Sequence, residues 1–147
     1  MNDFLHRLPE FASQHALLVA AFFGLLLVLI ATEVLRLMRG WKEVTPATLT
    51  HLINRQNALL IDVSPRADFE KAHIPGARHV AMAQFDPEHK DLAKVKDLPI
   101  AVYCRSGVTS AKAAARLVKA GFKQVHSLGG GIGAWQQADL PVARGKD

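Results

Sequence analysis

Two kinds of apolar pattern run along this chain. Residues 16–32, ALLVAAFFGLLLVLIAT, carry no charge over 17 positions, and Phe11, Ala12, Val34, Leu35 and Leu37 extend that character on both sides. At a rise of about 1.5 Å per residue, a helix drawn over 11–35 covers the roughly 30 Å hydrocarbon core of a bilayer. A buried core helix would show a polar face, and a cleavable signal would carry a basic lead-in and a small-residue cleavage site; the stretch has none of these. The pattern predicts a transmembrane helix over 16–35.

Beyond it the apolar runs are short and separated by breakers. Val44 reads as a short strand, followed by a helix with Thr45 as N-cap and Pro46 at its first position. Residues 58–63 form a fully apolar strand ended by Asp62 and Ser64, which suits a central parallel strand covered on both faces. Pro75 and Gly76 turn the chain into a strand over 78–80. Residues 84–97, mixing acids, lysines and His89, read as a solvated loop with a short helix. Ile100 to Tyr103 have the β-branched and aromatic character of a buried strand, and Ala111, Ala114, Leu117 and Val118 then recur at helical spacing. A last strand over 125–128 leads through 129–131 into a closing helix over 132–138, with Trp135 as its core anchor.

Composition narrows the options. At 147 residues, half of them apolar, the chain holds one ordinary domain and a short appendage, with no internal repeat. The expected divisions are an N-terminal segment (1–15), the membrane helix (16–35), a basic juxtamembrane linker (36–43), the domain (44–143) and a tail (144–147). The formal charge of +5 comes from basic residues scattered among acids without interleaved aromatics, which argues against nucleic-acid binding. The seven histidines show no i, i+4 pairing, so no metal site is expected. A single cysteine excludes an internal disulfide, an internal resolving thiol and a multi-cysteine zinc site.

Charge at the flanks of the apolar segment sets an orientation. Arg7 is offset by Asp3 and Glu10, whereas Arg36, Arg39 and Lys42 follow the segment, so its C-terminal side is expected in the cytoplasm and its N-terminus outside. That compartment is reducing, which keeps a solitary thiol free. Trp41 fits either an interfacial anchor or a residue packed on the domain. Ala20 and Gly24 form one small-xxx-small pair, a weak signal for helix pairing. Lys112, Arg116 and Lys119 share a helix face that suits solvent or anionic lipid.

The chemistry centres on Cys104. A strand ending in this cysteine, a turn through Arg105, Ser106, Gly107, Val108 and Thr109, and a helix entered near Ser110 put a sulfur over backbone N–H groups at a helix N-terminus. Such a setting lowers a thiol pKa from about 8.5 by one to several units. Arg105 is a candidate cation, and Gly107 lets the loop turn consecutive amides inward. The alternative is a small buried hydrophobe.

CRSGVTS, followed by an alanine-rich helix and LGGGIGAW, resembles the active-site loop and C-terminal end of a single rhodanese domain, the sulfurtransferase family. LLIDVSPRADFEKAHIPGARHV resembles the upstream signature of the same family, in the same order and at about its spacing, so the resemblance covers 44–141. It implies an α/β fold of the small rhodanese type, a mainly parallel central sheet flanked by helices, here preceded by one transmembrane helix. It implies thiosulfate-type sulfur transfer: the Cys104 thiolate attacks the outer sulfur of a donor such as thiosulfate, sulfite leaves, and a thiophilic acceptor such as a thiol or cyanide removes the sulfur from the persulfide. Amides of 105–110 would hold the persulfide and Arg105 or another loop cation would meet the donor's sulfonate. No cofactor is required, and the acceptor must come from outside the chain. With the apolar helix, the expected location is a bacterial-type inner membrane, crossed once.

The resemblance also implies roles outside the loop. Asp62 belongs to the site's supporting shell, or else caps the helix that follows Pro65. Phe69, after Asp68, is a core residue. His73 is an acid or base, or a brace for the turn through a backbone hydrogen bond. Three positions depart from the family pattern: Ser64 stands where arginine is usual, although Arg66 could reach the same region, Ala72 replaces a glycine, and Thr109 ends the loop where many members have arginine. Two other readings exist on the same fold. A phosphatase needs arginine six positions after the cysteine, where this chain has Ser110, and Tyr103 precedes the cysteine in place of histidine. A non-catalytic membrane-tethered interaction module needs no sulfur chemistry at all.

Overall fold

The computed structural model describes residues 2–146, with side chains from residue 6 onward, and divides the chain into two compact units, Met1–Arg39 and Gly40–Asp147. In the first unit, α1 (Asn2–Gln14) and α2 (Ala16–Leu37) are separated at His15, whose φ of −122° and ψ of 40° leave the helical range. The helix drawn over 11–35 is therefore interrupted at that residue. The main chain stays bonded through the break, His15 N–H to the Phe11 carbonyl and Val19 N–H to the His15 carbonyl, each at 3.0 Å. α2 is long and apolar enough to cross a membrane, and none of its residues is buried against protein.

The second unit is a five-stranded, wholly parallel sheet with strand order β1-β5-β4-β2-β3. The strands are β1 (Lys42–Val44), β2 (Leu59–Asp62), β3 (Arg78–His79), β4 (Ile100–Tyr103) and β5 (Val125–Leu128). They alternate with α3 (Pro46–Gln56), α4 (Arg66–Lys71), α5 (Lys90–Ala93), α6 (Val108–Lys119) and α7 (Gly131–Gln137). Thr45 caps α3 by accepting the Thr48 N–H at 3.3 Å, and Pro46 opens the helix where its missing N–H costs nothing.

Period-two alternation divides the strands between two cores. Ile61, Ile100, Val102 and Val125 face the α6 side with Ala113, Ala114, Leu117 and Phe122. Leu60, Ala101, Tyr103 and Leu128 face the other side with Leu49, Leu52 and Trp135. β4 is buried along its whole length, as a central strand covered on both faces must be.

One stretch differs from its sequence reading. Residues 84–97 do include the short helix α5, but Phe85 and Leu92 are 4 % and 6 % exposed and belong to the core on the α6 side. Their spacing matches neither a strand nor a long helix, so isolated apolar anchors in polar surroundings looked like solvated chain. Trp41 is half-buried and packs on the same core, which takes up one of its two expected positions.

Chain direction places the site. β2 leaves through α4 toward β3 on one side, while β4 leaves through α6 toward β5 on the other. The C-terminal ends of β2 and β4 therefore flank the topological switch point of the sheet, where open α/β folds leave a crevice. Asp62 and Tyr103 are register partners at that edge, and Cys104 follows directly.

Candidate active site

Cys104 continues the alternation of β4, so its side chain falls on the α6 side with Ile100 and Val102. Only 4 % of the residue is exposed. Gly107 precedes α6 with φ +95° and ψ −11°, a left-handed conformation that glycine adopts freely. The helix begins at Val108, earlier than its apolar periodicity indicates, because Thr109 and Ser110 are polar members of the first turn. The loop proper is thus confined to 104–107.

This turn aims donors at the sulfur. The N–H groups of Gly107 and Ser110 point at Cys104 Sγ from 3.1 and 3.4 Å, and the Ser106 N–H also bonds to it. The Ser110 hydroxyl oxygen lies 3.6 Å from the same atom. Burial alone pushes the thiol pKa up, but the Ser110 amide and hydroxyl and the Ser106 and Gly107 amides together bring it below the ordinary value. The positive end of the α6 dipole acts in the same direction. Arg105, exposed, is not among the causes of that shift. Ser106 is also exposed, Val108 is 66 % exposed, and Thr109 is half-buried. These side chains are at least partly open to solvent, while the Gly107 and Ser110 amides and the Ser110 hydroxyl lie against the sulfur.

Asp62 sits one strand away, 1 % exposed. Its Oδ1 accepts the Ser64 N–H at 2.8 Å and also the Ser64 hydroxyl. It bonds as well to the Tyr103 hydroxyl, which in turn accepts the Ile74 N–H at 3.0 Å. Burial and the Asp62 charge both raise the Tyr103 pKa, so the phenol stays protonated as a donor. α4 begins at Arg66 after Pro65 with no side-chain cap, so Asp62 orders the turn after β2 and ties it to the residue preceding the cysteine. Arg66 pairs with Glu70 at 3.0 Å and donates to the Lys146 carbonyl at 3.3 Å.

His73 is 1 % exposed and donates from Nδ1 to the Phe69 carbonyl at 2.8 Å. Its ring stacks on Phe69 with centroids 3.8 Å apart. Its main chain exchanges two hydrogen bonds with Ala143, at 2.9 and 2.8 Å, which fastens the end of the domain to the turn before β3. These contacts are those of a brace.

Two residues important to this geometry carried no chemical signal. Gly131 has φ +59°, and a Cβ there would lie 2.2 Å from the Cys104 carbonyl oxygen and 2.6 Å from the Arg105 carbonyl. The next residue, Ile132, donates its N–H to the Cys104 carbonyl at 2.9 Å. The start of α7 is thereby laid directly against the backbone of the cysteine loop, which only a residue without a side chain permits. The run of three glycines marks a turn but does not reveal what the turn touches. Ser127 is the second: its hydroxyl donates to Ser110 Oγ at 3.0 Å.

Comparison with known proteins gives the chain a family. Residues 45–138 match the family model described as "Rhodanese-like domain". The Escherichia coli (strain K12) protein YibN, itself uncharacterized, is 33 % identical over 143 residues, 97 % of this chain and all of that protein. Thiosulfate sulfurtransferase GlpE of Haemophilus influenzae (strain 86-028NP) is 36 % identical over 103 residues, which are 70 % of this chain and 95 % of that protein. Among solved structures, thiosulfate sulfurtransferase from Pseudomonas aeruginosa superposes with a TM-score of 0.63 at 27 % identity; the match covers 73 % of this chain but 20 % of that longer one.

Proposed function

From the premise that this chain belongs to the family of rhodanese-like domains, we propose that it is a membrane-anchored sulfurtransferase working through a persulfide on Cys104. The observation that carries the proposal is the convergence of the Ser106, Gly107 and Ser110 amides on one buried sulfur at the head of α6. In the reaction, the thiolate attacks the outer sulfur of a donor such as thiosulfate. A new S–S bond forms, the donor's S–S bond breaks, and its electron pair leaves with sulfite. The amides hold the resulting anionic persulfide as they hold the thiolate, and Arg105 at the mouth would meet the donor's sulfonate. A thiol or cyanide then takes the outer sulfur and returns the thiolate.

Asp62 and Tyr103 support this by fixing the strand that delivers the cysteine, and His73 by fixing the turn behind it. α2 would hold the domain at a bacterial-type inner membrane, with the Arg36, Arg39 and Lys42 side in the cytoplasm. The test is a turnover assay on the full chain in detergent with thiosulfate and cyanide. Sulfite release and thiocyanate formation are expected, and Cys104→Ser should reduce both by at least about 10³-fold. Equal turnover in the variant would refute the mechanism. No turnover with thiosulfate or a persulfide donor would leave a tethered interaction domain as the better reading.

A further inference from the structure

The sulfur is reached by a chain of hydroxyl groups that starts on another strand. Ser127 lies on β5, opposite Val102 of β4, and is 2 % exposed. Its hydroxyl donates to Ser110 Oγ at 3.0 Å. Ser110, with no exposed surface, spends its own proton on the Gly107 carbonyl at 3.1 Å. The neutral thiol completes the set by pointing its proton at Ser110 Oγ from 3.6 Å. Both lone pairs of Ser110 Oγ are then occupied, one by Ser127 and one by the thiol.

Ionisation changes this count. The S–H bond breaks, the proton passes to water at the mouth, and the electron pair stays on sulfur. Cys104 now has nothing to donate and needs donors. Among the described residues, the hydroxyl within hydrogen-bond distance of the sulfur is that of Ser110, and the Gly107 carbonyl can release its proton because that carbonyl also accepts the Ala111 N–H at 3.2 Å. If the Ser110 hydroxyl rotates, no buried group loses its last partner. Ser127 keeps Ser110 Oγ in place throughout, and by donating to it makes the Ser110 O–H a better donor.

We propose that Ser127 is a positioning residue for the reactive sulfur: its hydroxyl holds Ser110 so that the Ser110 proton passes from the Gly107 carbonyl to Cys104 Sγ when the thiol ionises. The inference deepens the reading of Cys104 as an ionised nucleophile and rests on it. It assigns to the β5 strand a part in the chemistry, where its residue at this position would otherwise only fill space between β4 and α6.

The pH dependence of iodoacetamide alkylation of the full chain tests this, comparing Ser127→Val with Ser127→Thr. The two replacements have nearly equal volume and differ in the hydroxyl. Valine should move the midpoint of the profile up by about 0.5–1 unit and slow alkylation near neutral pH by roughly 3–10-fold. Threonine should stay within about twofold of the parent. In a Ser110→Ala background the valine change should add nothing. Coincident profiles for parent and valine chains, or equal shifts for valine and threonine, would overturn the proposal. If the valine chain does not fold, Ser127→Ala is compared with Ser127→Thr by the same criterion. Alkylation reports the thiolate and not sulfur transfer, so an unreactive donor in the turnover assay would defeat the proposed function without touching this result.

Discussion

The sulfur of a residue only 4 % exposed ought to be a poor anion, since burial favours the neutral thiol. Here three amides and a hydroxyl outweigh burial and bring the thiol pKa below its ordinary value. Alkylation of the parent chain should therefore persist at pH values below those at which a free cysteine loses reactivity; a midpoint at or above the free value would contradict it. The residue type and its flanks were legible in the sequence, where one cysteine between a strand and a glycine-bearing helix start already suggested a ring of amides. The source of the stabilisation was not: Arg105 was the candidate cation, yet the shift comes from the Ser110 amide and hydroxyl and the Ser106 and Gly107 amides, whose directions the sequence does not reveal. Gly131 was equally silent. Gly131→Ala forces a Cβ into the carbonyls of residues 104 and 105 and a left-handed φ on alanine, so a loss of roughly 2–4 kcal/mol in stability and a loosened sulfur site are expected. Unchanged thermal unfolding and unchanged alkylation in that variant would show that the contact is not tight.

Elements were read most surely where pattern and capping coincide. α3 is the clearest case: Thr45 and Pro46 mark its start, and Thr45→Ala should cost about 1 kcal/mol in thermal unfolding while leaving Cys104 alkylation unaltered, since α3 packs on the opposite face of the sheet from the sulfur. α6 was misjudged at its start, because Thr109 and Ser110 lack the apolar period that marks the rest of the helix. β5 hides a different property. His126 is partly buried beside Lys42, and both burial and that cation lower its proton affinity in the fold. As pH falls below about 6.5 the unfolded chain takes up this proton before the folded one does, so the histidine's contribution is complete above that pH and shrinks on acidification. His126→Gln should flatten the decline in melting temperature between about pH 7 and about pH 5; an identical decline would assign the pH dependence to other groups.

On the scale of the molecule, the sequence predicts a membrane helix over 16–35, a linker over 36–43 and a domain over 44–143, and the structure groups the chain into the units Met1–Arg39 and Gly40–Asp147. Both hydrophobic cores belong wholly to the second unit. Residues 40–147 should accordingly fold alone, remain in the soluble fraction and keep the alkylation profile, while the full chain sediments with membranes and resists carbonate extraction. A soluble full chain would contradict the anchor. The most direct test of the whole account is the intact mass of the full chain after incubation with thiosulfate. The account predicts a gain of one sulfur atom, reversed by cyanide and absent from Cys104→Ala; a folded chain with an alkylatable Cys104 that gains no sulfur from thiosulfate or from a persulfide donor would contradict it.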